Sequence, residues 1–232
     1  MKLILALFMM LSVLSASADV WIDDFEREEI GEDWAPTAWC ANDAKPDWKI
    51  EDGILGGRWP HWDAQMLFLA KEYPSLNYTI QVKCRIDKVW QSPDLAGAGF
   101  IFRAPTSETN GGCINLFYNW GIGTISSGFM IFSGVWQLVG VVMRNHNLDQ
   151  WYIIKLVVND SDFYGYIDDK PICKLKDSKY KGKFVGLWLG SNIDASFDDF
   201  MISDSVDEDA LENFAISPQD KLPQTWGTLK AK

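Results

Sequence analysis

Hydrophobic and polar residues alternate with a period of two along most of this chain. The stretch "NYTIQVKCRID", residues 77–87, is the clearest example. Its apolar side consists of Tyr78, Ile80, Val82, Cys84 and Ile86, and its polar side of Thr79, Gln81, Lys83 and Arg85. Successive side chains of a β-strand point to opposite faces of the sheet, so this period predicts a strand with one buried face.

Roughly a dozen short runs of this kind follow at spacings of about 8–12 residues, separated by clusters of Gly, Asn, Asp and Ser. No segment before the C-terminal tail keeps the apolar spacing of an amphipathic helix. Such a series is typical of an all-β sandwich. One hairpin is predicted in detail, because Asp168, Asp169 and Lys170 are turn residues and Pro171 then begins the next strand.

The first eighteen residues are typical of an export signal. A basic start is followed by an apolar run at 3–14 and by small residues at 16–18, as a signal peptidase requires. The apolar run is shorter than the roughly 20 residues that span a bilayer. We therefore expect a signal peptide over 1–18, a secreted domain without a membrane anchor over 19–204, and a polar tail over 205–232.

Charge and composition limit the partners. The formal net charge is −11, and so the chain repels the phosphates of nucleic acids. The same carboxylates suit a soluble exported protein, and they also suit cation binding. Aromatic residues make up 14% of the chain, and exposed tryptophan and tyrosine rings are common in sugar-binding surfaces.

Four cysteines leave two interpretations open. Cys40, Cys84, Cys113 and Cys173 permit two disulfides in an exported chain, and the sequence does not rank the three possible pairings. Alternatively, Cys84 lies on the apolar side of its strand, as a buried free thiol would. No C-x-x-C spacing occurs, which excludes a zinc ribbon.

The two ends of the domain repeat one pattern. The domain carries "IDDFE" at 22–26, near its start, and the last predicted strand contains "SFDDFMI" at 196–202. We expect the first and last strands to lie side by side. Phe197 and Phe200 would then face the sheet or the core around the acidic pair between them.

The ordered series "DDFE", "DWKIEDGILGG", "GAGFIFRA", "FYGYIDDKPI" and "KFVGLWLGSNIDASFDDFMI" resembles the concanavalin A-like lectin and glucanase jelly rolls. It is most similar to the laminin-G-like and 3-keto-disaccharide hydrolase-type domains of secreted bacterial proteins. The resemblance covers about residues 20–203. It implies two antiparallel sheets, one of them concave, with sugars bound on the concave face or its rim loops.

The resemblance also implies a structural calcium ion on the convex side. In related enzymes the ion is held near the N-terminus, by a glycine carbonyl after the first hairpin, and by an aspartate of the last strand. The matching positions here are Asp24, Gly53 and Asp199. Calcium takes oxygen ligands, some of which are supplied by water. The alternative is that the acidic residues of the last strand are simply solvated.

Catalytic motifs are absent from the sequence. Glucanases of this type carry E-x-D-x-E on one strand, which sets two carboxyl groups at the distance that retaining hydrolysis needs. The corresponding strands here, "GFIFRA" and "CINLFYNW", contain no acid. The two histidines, His61 and His146, do not lie in a recognised nucleophile context. We assign no catalytic residue, although the 3-keto-disaccharide hydrolases have no comparably compact motif.

Aromatic and polar residues that suit a sugar concentrate in a few segments. Tryptophan rings stack on sugar rings, while Arg, Asn and His bond to hydroxyl groups. The predicted ligand-binding residues are Trp59, His61 and Trp62 of "GGRWPHWD", Arg103 of "GFIFR", and Asn115, Asn119 and Trp120 of "CINLFYNW". The alternative for each tryptophan is burial in the core.

The leading hypothesis is a secreted, non-catalytic jelly-roll module that binds carbohydrate through one face and holds a structural calcium ion. One alternative is a glycoside hydrolase or lyase of the 3-keto-disaccharide hydrolase type. The other is a laminin-G-like adhesion module with a protein partner.

Overall fold

The computed structural model describes residues 19–39, 44–90, 96–106, 112–119, 124–132, 136–178 and 181–207, with side chains described except at 39, 96, 112–119, 124–132 and 136–146. Within these ranges the chain forms fifteen β-strands and no helix. Accordingly, no helix of the described part is long and apolar enough to cross a membrane. The predicted signal peptide at 1–18, and the tail from residue 208 onward, lie outside the described residues.

The strands, in chain order, are β1 (Val20–Asp23), β2 (Trp34–Trp39), β3 (Trp48–Glu51), β4 (Ile54–Trp59), β5 (Ala64–Leu69), β6 (Tyr78–Val89), β7 (Ala96–Ala104), β8 (Gly112–Asn119), β9 (Thr124–Phe132), β10 (Trp136–His146), β11 (Tyr152–Asn159), β12 (Asp162–Ile167), β13 (Lys170–Lys176), β14 (Phe184–Leu189) and β15 (Ile193–Ser203).

They form two antiparallel sheets. Sheet I has eight strands in the order β13-β12-β11-β6-β15-β4-β3, with β1 also paired to β15. Sheet II has seven strands in the order β10-β9-β8-β7-β14-β5-β2. The predicted all-β, two-sheet antiparallel sandwich is confirmed.

The core lies between the sheets, where the alternation predicts it. The five apolar residues predicted to share one side of β6 are all buried, and they belong to one cluster with the inward side chains of both sheets. Thr79, on the opposite side of β6, is also buried. Its hydroxyl donates to the carbonyl of Ser205 at 3.0 Å and accepts from the N–H of Asp207 at 3.1 Å. The chain after β15 therefore crosses the outer face of sheet I here.

The predicted hairpin is confirmed. Asp168 and Asp169 connect β12 to β13 with φ angles of 49° and 57°, in the left-handed region that aspartate tolerates better than most residues. Pro171 lies in β13, the edge strand of sheet I. A proline is acceptable there because its missing N–H interrupts no central ladder.

The first and last strands lie side by side, as the repeated pattern predicts. Strand β1 pairs with residues 200–203 of β15, and β4 pairs with residues 193–197 of the same strand. Between these two pairings β15 contains a β-bulge, at which Asp199 has a φ of 48°. The extra residue lets Phe197 and Phe200, three positions apart, both point into the core with no exposed surface.

Asp23, at the end of β1, is a buried carboxylate with a full set of donors. Arg27 donates to both of its oxygens, at 2.5 and 2.7 Å. The indole Nε1 of Trp34 donates at 2.7 Å and the N–H of Phe25 at 2.9 Å. Burial acts to raise the pKa of Asp23, but these donors outweigh burial and the pKa is lowered. The ionised carboxylate therefore stabilises the closure of the two chain ends.

Cys84 is a buried free thiol, and Cys173 is also buried. The interpretation of Cys84 as a small buried side chain is confirmed, and burial raises the pKa of its thiol. These two cysteines form no disulfide. Cys40 and the side chain of Cys113 lie outside the described residues.

We predict that Asp23→Asn destabilises the domain by roughly 2 kcal/mol at neutral pH, because hydrogen bonds to a charged group contribute more than neutral ones. Urea denaturation measures this loss. The wild-type stability from Asp23 is present above the ordinary pKa that its carboxyl has in the unfolded chain, and it is lost as the pH falls through the lowered pKa of the folded state.

The matched control is Asp24→Asn. Asp24 is exposed, and within the described part of the chain its carboxylate accepts a single hydrogen bond, from the N–H of Glu26 at 3.2 Å. We expect its free energy of unfolding to stay within about 0.5 kcal/mol of wild type. Equal losses in the two variants would contradict a special role for Asp23.

Candidate functional site

The outer face of sheet I carries a cleft of about 460 Å³ over strands β3, β4, β6 and β15. It is polar, with five carboxylates and three cationic side chains along its walls. These charged residues are Asp47, Glu51, Asp52, Asp87, Asp194, Lys49, Arg58 and Arg85. The outward side chains of the cleft follow from strand alternation, because residues 55, 57 and 59 of β4 and residues 193, 195 and 197 of β15 face the core.

A β-bulge in β6 sets the position of Asp87. Lys88 pairs with Asp194 and Ile86 pairs with Ala195, so Asp87 is an extra residue between two consecutive partners. A bulge of this kind re-aims a side chain. As a result Asp87 and Asp194, from neighbouring strands, both line the cleft.

Arg85, Asp87 and Ser196 form a closed hydrogen-bond network on the cleft floor. Arg85 Nε donates to Asp87 Oδ1 at 2.5 Å, and Ser196 Oγ donates to Asp87 Oδ2 at 2.6 Å. A further N–H of Arg85 donates to Ser196 Oγ at 3.2 Å. The guanidinium of Arg85 also stacks 4.7 Å from the ring centre of Trp151. Each of these polar groups is therefore held by another protein group.

Trp90, which follows β6, organises the other half of the cleft. Its Nε1 donates to Asp194 Oδ1 at 2.7 Å. The guanidinium of Arg58 lies 4.7 Å from its ring centre, and Lys88 Nζ lies 3.4 Å from it. Both distances are within the range of cation–π contacts.

The carboxyl of Asp194 has a raised pKa. Partial burial is the main cause, and the nearby charge of Asp87 adds to it. The hydrogen bond from Trp90 and the charges of Arg58 and Lys88 act in the opposite direction without cancelling burial. Asp194 is thus the reverse of Asp23, since its donors do not fully replace the water that it loses.

Trp62 lies at the same end of the sandwich as Arg58, and 68% of its surface is exposed. Its backbone carbonyl accepts a hydrogen bond from Ser191 Oγ. Asn192, which follows Ser191, donates its backbone N–H to the carbonyl of His61 at 2.8 Å. Its own carbonyl accepts from the N–H of Trp90 at 2.8 Å. The loop that carries His61 and Trp62 is therefore tied to the end of β6 beside the cleft.

Two of the predicted ligand-binding residues belong to the interior instead. Trp59 is 1% exposed and lies in the core, with its ring centre 4.7 Å from that of His61. Arg103 is 3% exposed, and it donates to the backbone carbonyls of Leu76 at 2.5 Å and Asp160 at 3.1 Å. Neither side chain faces the surface, because each satisfies the packing or hydrogen bonding of the fold.

The other predicted positions are described only in part. Asn115 and Asn119 lie in β8 of sheet II, with their side chains outside the described set, and Trp120 is outside it altogether. Sequence reasoning did not select Arg85, Asp87, Trp90, Asp194 or Ser196. Arg85 was predicted to face outward, but the bulge at Asp87 and the pairing of β6 with β15 leave no sequence signal.

The predicted calcium ligands come from three segments that strand β15 brings together. Gly53 lies in the turn between β3 and β4 with a φ of 73°, and a side-chain Cβ there would meet the carboxylate of Glu26 at 2.8 Å. Asp199 is exposed and forms an ion pair with Lys83, which also lies 3.4 Å from Asp198. Among the described residues no three His, Cys, Asp or Glu side chains converge on one point. Any ion here would therefore need backbone or water oxygens.

No family model matches this chain, and no curated protein is similar to it in sequence. Solved structures are similar in fold. The carbohydrate-binding module CBM66 from Bacillus subtilis has a TM-score of 0.58 and 15% identity, and the match covers 72% of this chain and 93% of that one. A Bacillus subtilis protein of unknown function with a galectin-like fold has a TM-score of 0.60 and 12% identity, over 80% and 96%.

The potassium-bound carbohydrate recognition domain of Emp46p has a TM-score of 0.58 and 14% identity, over 79% of this chain and 95% of that one. At such identities the likeness is one of fold alone. The chain therefore shares the two-sheet β-sandwich fold of these structures, one of which is described as galectin-like.

Proposed function

We propose that this chain is an exported carbohydrate-binding domain whose binding surface is the cleft on sheet I. The observation that carries the proposal is the cleft itself, whose walls present charged hydrogen-bonding groups, with the ring of Trp90 stacked against one of them, Arg58. Its volume of about 460 Å³ is within the range of small-molecule sites. Two of the similar structures are named as carbohydrate-binding domains, which supports the same class of ligand.

Two of the residues predicted from the sequence fit this proposal. Trp62 offers an exposed ring on the loop that follows β4, the strand that carries Arg58, and the backbone of His61 helps to hold that loop. Contacts from Asn115, Asn119 and Trp120 remain predictions for the opposite sheet. Export after removal of residues 1–18 is part of the proposal, and the net charge of −11 argues against nucleic acid.

Glycoside hydrolysis is the second candidate, and one observation favours it. Asp87 and Asp194 line the same cleft from neighbouring strands, and burial raises the pKa of Asp194. A carboxyl group with a raised pKa suits a proton donor, while a carboxylate that accepts from an arginine, as Asp87 does, suits the ionised partner.

We predict that Gly56→Phe weakens carbohydrate binding about tenfold or more. Gly56 lines the cleft, and a Cβ there has only the carbonyl of Lys49 within 4 Å, at 3.8 Å. A phenylalanine ring can therefore enter the cleft and occupy the ligand volume without straining the strand. A glycan array identifies the ligand, and isothermal titration calorimetry compares the affinities.

The matched control is Ile153→Phe. Ile153 lies on the outer face of the same sheet, in β11, but does not line the cleft. We expect its affinity to stay within about twofold of wild type. Binding that survives Gly56→Phe would place the ligand elsewhere. Release of reducing ends from the bound glycan, lost in Asp194→Ala, would favour the hydrolase. No binding to any glycan would leave a protein partner as the alternative.

A structural calcium ion at the junction of β1, β4 and β15 is the finer part of the proposal. The carboxylate of Glu26 lies against Gly53, so the N-terminal segment brings a carboxylate close to the predicted glycine. The carboxylate of Asp199 would bind the ion and give up its ion pair with Lys83. The Emp46p domain has been solved in metal-free and potassium-bound forms, which supports a cation site in this fold only by analogy.

We predict that calcium raises the melting temperature of the wild type and that Asp199→Ala abolishes this rise. The reason is that a ligand bound only to the folded state stabilises it. Differential scanning fluorimetry with calcium and with EDTA measures the difference. Lys83→Ala is the control, because it removes the competing ammonium and should keep the rise. If Asp199→Ala lowered the melting temperature equally with calcium and with EDTA, the loss would come from the Lys83 ion pair alone.

A further inference from the structure

Arg58 and Asp194 are direct cross-strand partners with opposite charges, yet each of them contacts Trp90. In the pairing of β4 with β15, Asp194 lies opposite Arg58. Such a pair on an exposed sheet face would ordinarily form an ion pair. In the described part of the chain, however, Arg58 and Asp194 do not form an ion pair with each other. Instead Arg58 stacks on the face of Trp90, and Asp194 accepts from its Nε1.

This arrangement leaves one set of donors and one acceptor open to the cleft. The guanidinium of Arg58 makes no hydrogen bond to any described group, and it is exposed. Asp194 uses Oδ1 for Trp90, while its Oδ2 has no described partner. Both side chains line the cleft. A guanidinium offers several N–H donors in a plane, and a carboxylate oxygen offers an acceptor.

The neighbouring network has the opposite character. Both oxygens of Asp87 are occupied, one by Arg85 and one by Ser196. A ligand would therefore find fewer open acceptor sites on Asp87 than on Asp194. Arg85, Asp87 and Ser196 therefore shape and support the cleft floor, and Arg58 and Asp194 are the groups that are free to exchange water for a ligand.

We propose that Arg58 and Asp194 together bind two adjacent hydroxyl groups of a neutral sugar ring, and that Trp90 is the positioning residue for both. This rests on the proposed function and names its ligand class and contacts. One hydroxyl oxygen accepts from Arg58, and the neighbouring hydroxyl donates to Asp194. A hydroxyl group can do either, so a vicinal pair matches a donor and an acceptor held side by side.

The charge of the cleft selects against acidic sugars. Five carboxylates face three cations around it, and Arg85 is already neutralised by Asp87. A uronic acid would bring a further negative charge towards Asp194. A neutral ring carries no such penalty, so the cleft favours neutral over acidic glycans.

The test is affinity electrophoresis with four polysaccharides: mannan, laminarin, xylan and the acidic polygalacturonate. We expect the wild type to bind at least one neutral polymer and to bind polygalacturonate more weakly. Trp90→Phe keeps a ring under Arg58 but removes the N–H that holds Asp194. It should weaken binding of the neutral polymer about fivefold or more, as should Arg58→Lys, which cannot reproduce the planar donor set.

Trp151→Phe is the matched control, since Trp151 likewise stacks against an arginine, Arg85, but has no described bond from its indole nitrogen to a carboxylate. We expect its affinity to stay within about twofold of wild type. Positioning has a signature that a purely structural role lacks. In the double variant Trp90→Phe with Asp194→Asn, the loss should equal that of Asp194→Asn alone, because Trp90 acts through Asp194.

Several outcomes would overturn the proposal. Arg58→Lys is an exposed change that leaves the core intact. If it left binding unchanged while Gly56→Phe still weakened binding, the ligand would lie in the cleft but Arg58 would not hold its hydroxyl group. Additive losses in the double variant would remove the positioning role of Trp90. Stronger binding of polygalacturonate than of the neutral polymers would reverse the ligand class. If the wild type binds no polysaccharide, the proposed function itself fails, and this proposal fails with it.

A stability measurement provides an independent check on Asp194. Because its pKa is raised above 3.8, the folded state holds the proton more tightly than the unfolded state, and the ionised carboxyl destabilises the fold at higher pH. We therefore predict that Asp194→Asn raises the melting temperature at about pH 7 and that the gain disappears as the pH falls below both pKa values. A melting temperature lowered at neutral pH would mean that Asp194 is a structural group and not a ligand-binding one.

Discussion

The pairing of strand β15 with three other strands is the constraint on which the rest of the structure depends. Along one side β15 pairs with β6, and along the other it pairs first with β4 and then with β1. The two ends of the domain and its first hairpin are thereby fixed to one strand. Without this pairing, the buried ring of Phe200 would lose its neighbours Trp21 and Trp34, from β1 and β2. The buried ring of Phe197 would lose Trp48 of β3.

Two irregularities of this pairing create the chemistry of the outer face. The bulge in β15 turns Asp198 and Asp199 towards Lys83, and the bulge in β6 turns Asp87 into the cleft. A regular ladder would have kept strict alternation at both places. Each bulge instead adds one outward acidic residue beside a cation. The same strand pair thus carries the candidate cation site near one end and the candidate sugar site near the other.

The sequence predicts what depends on neighbours along the chain. Alternation identifies the buried side of β6, the aspartates at 168 and 169 identify a tight turn, and the repeated acidic pattern predicts that the ends meet. The burial of Trp59 is also predictable from the sequence, because Trp59 shares a side of β4 with Leu55 and Gly57. The cleft is not predictable in this way. Arg58 and Asp194 are far apart in the chain, and only the pairing of β4 with β15 brings them together.

Asp23 and Asp194 show why a binding group costs stability while a structural group supplies it. Three residues donate to Asp23, and ionisation of its carboxyl is favoured by folding. One indole N–H donates to Asp194, and burial removes more water than that donor replaces. A carboxylate whose oxygens are all occupied has nothing left to offer a ligand. An incompletely satisfied one, held in place by Trp90, retains the capacity to bind. Its raised pKa reflects that incomplete satisfaction.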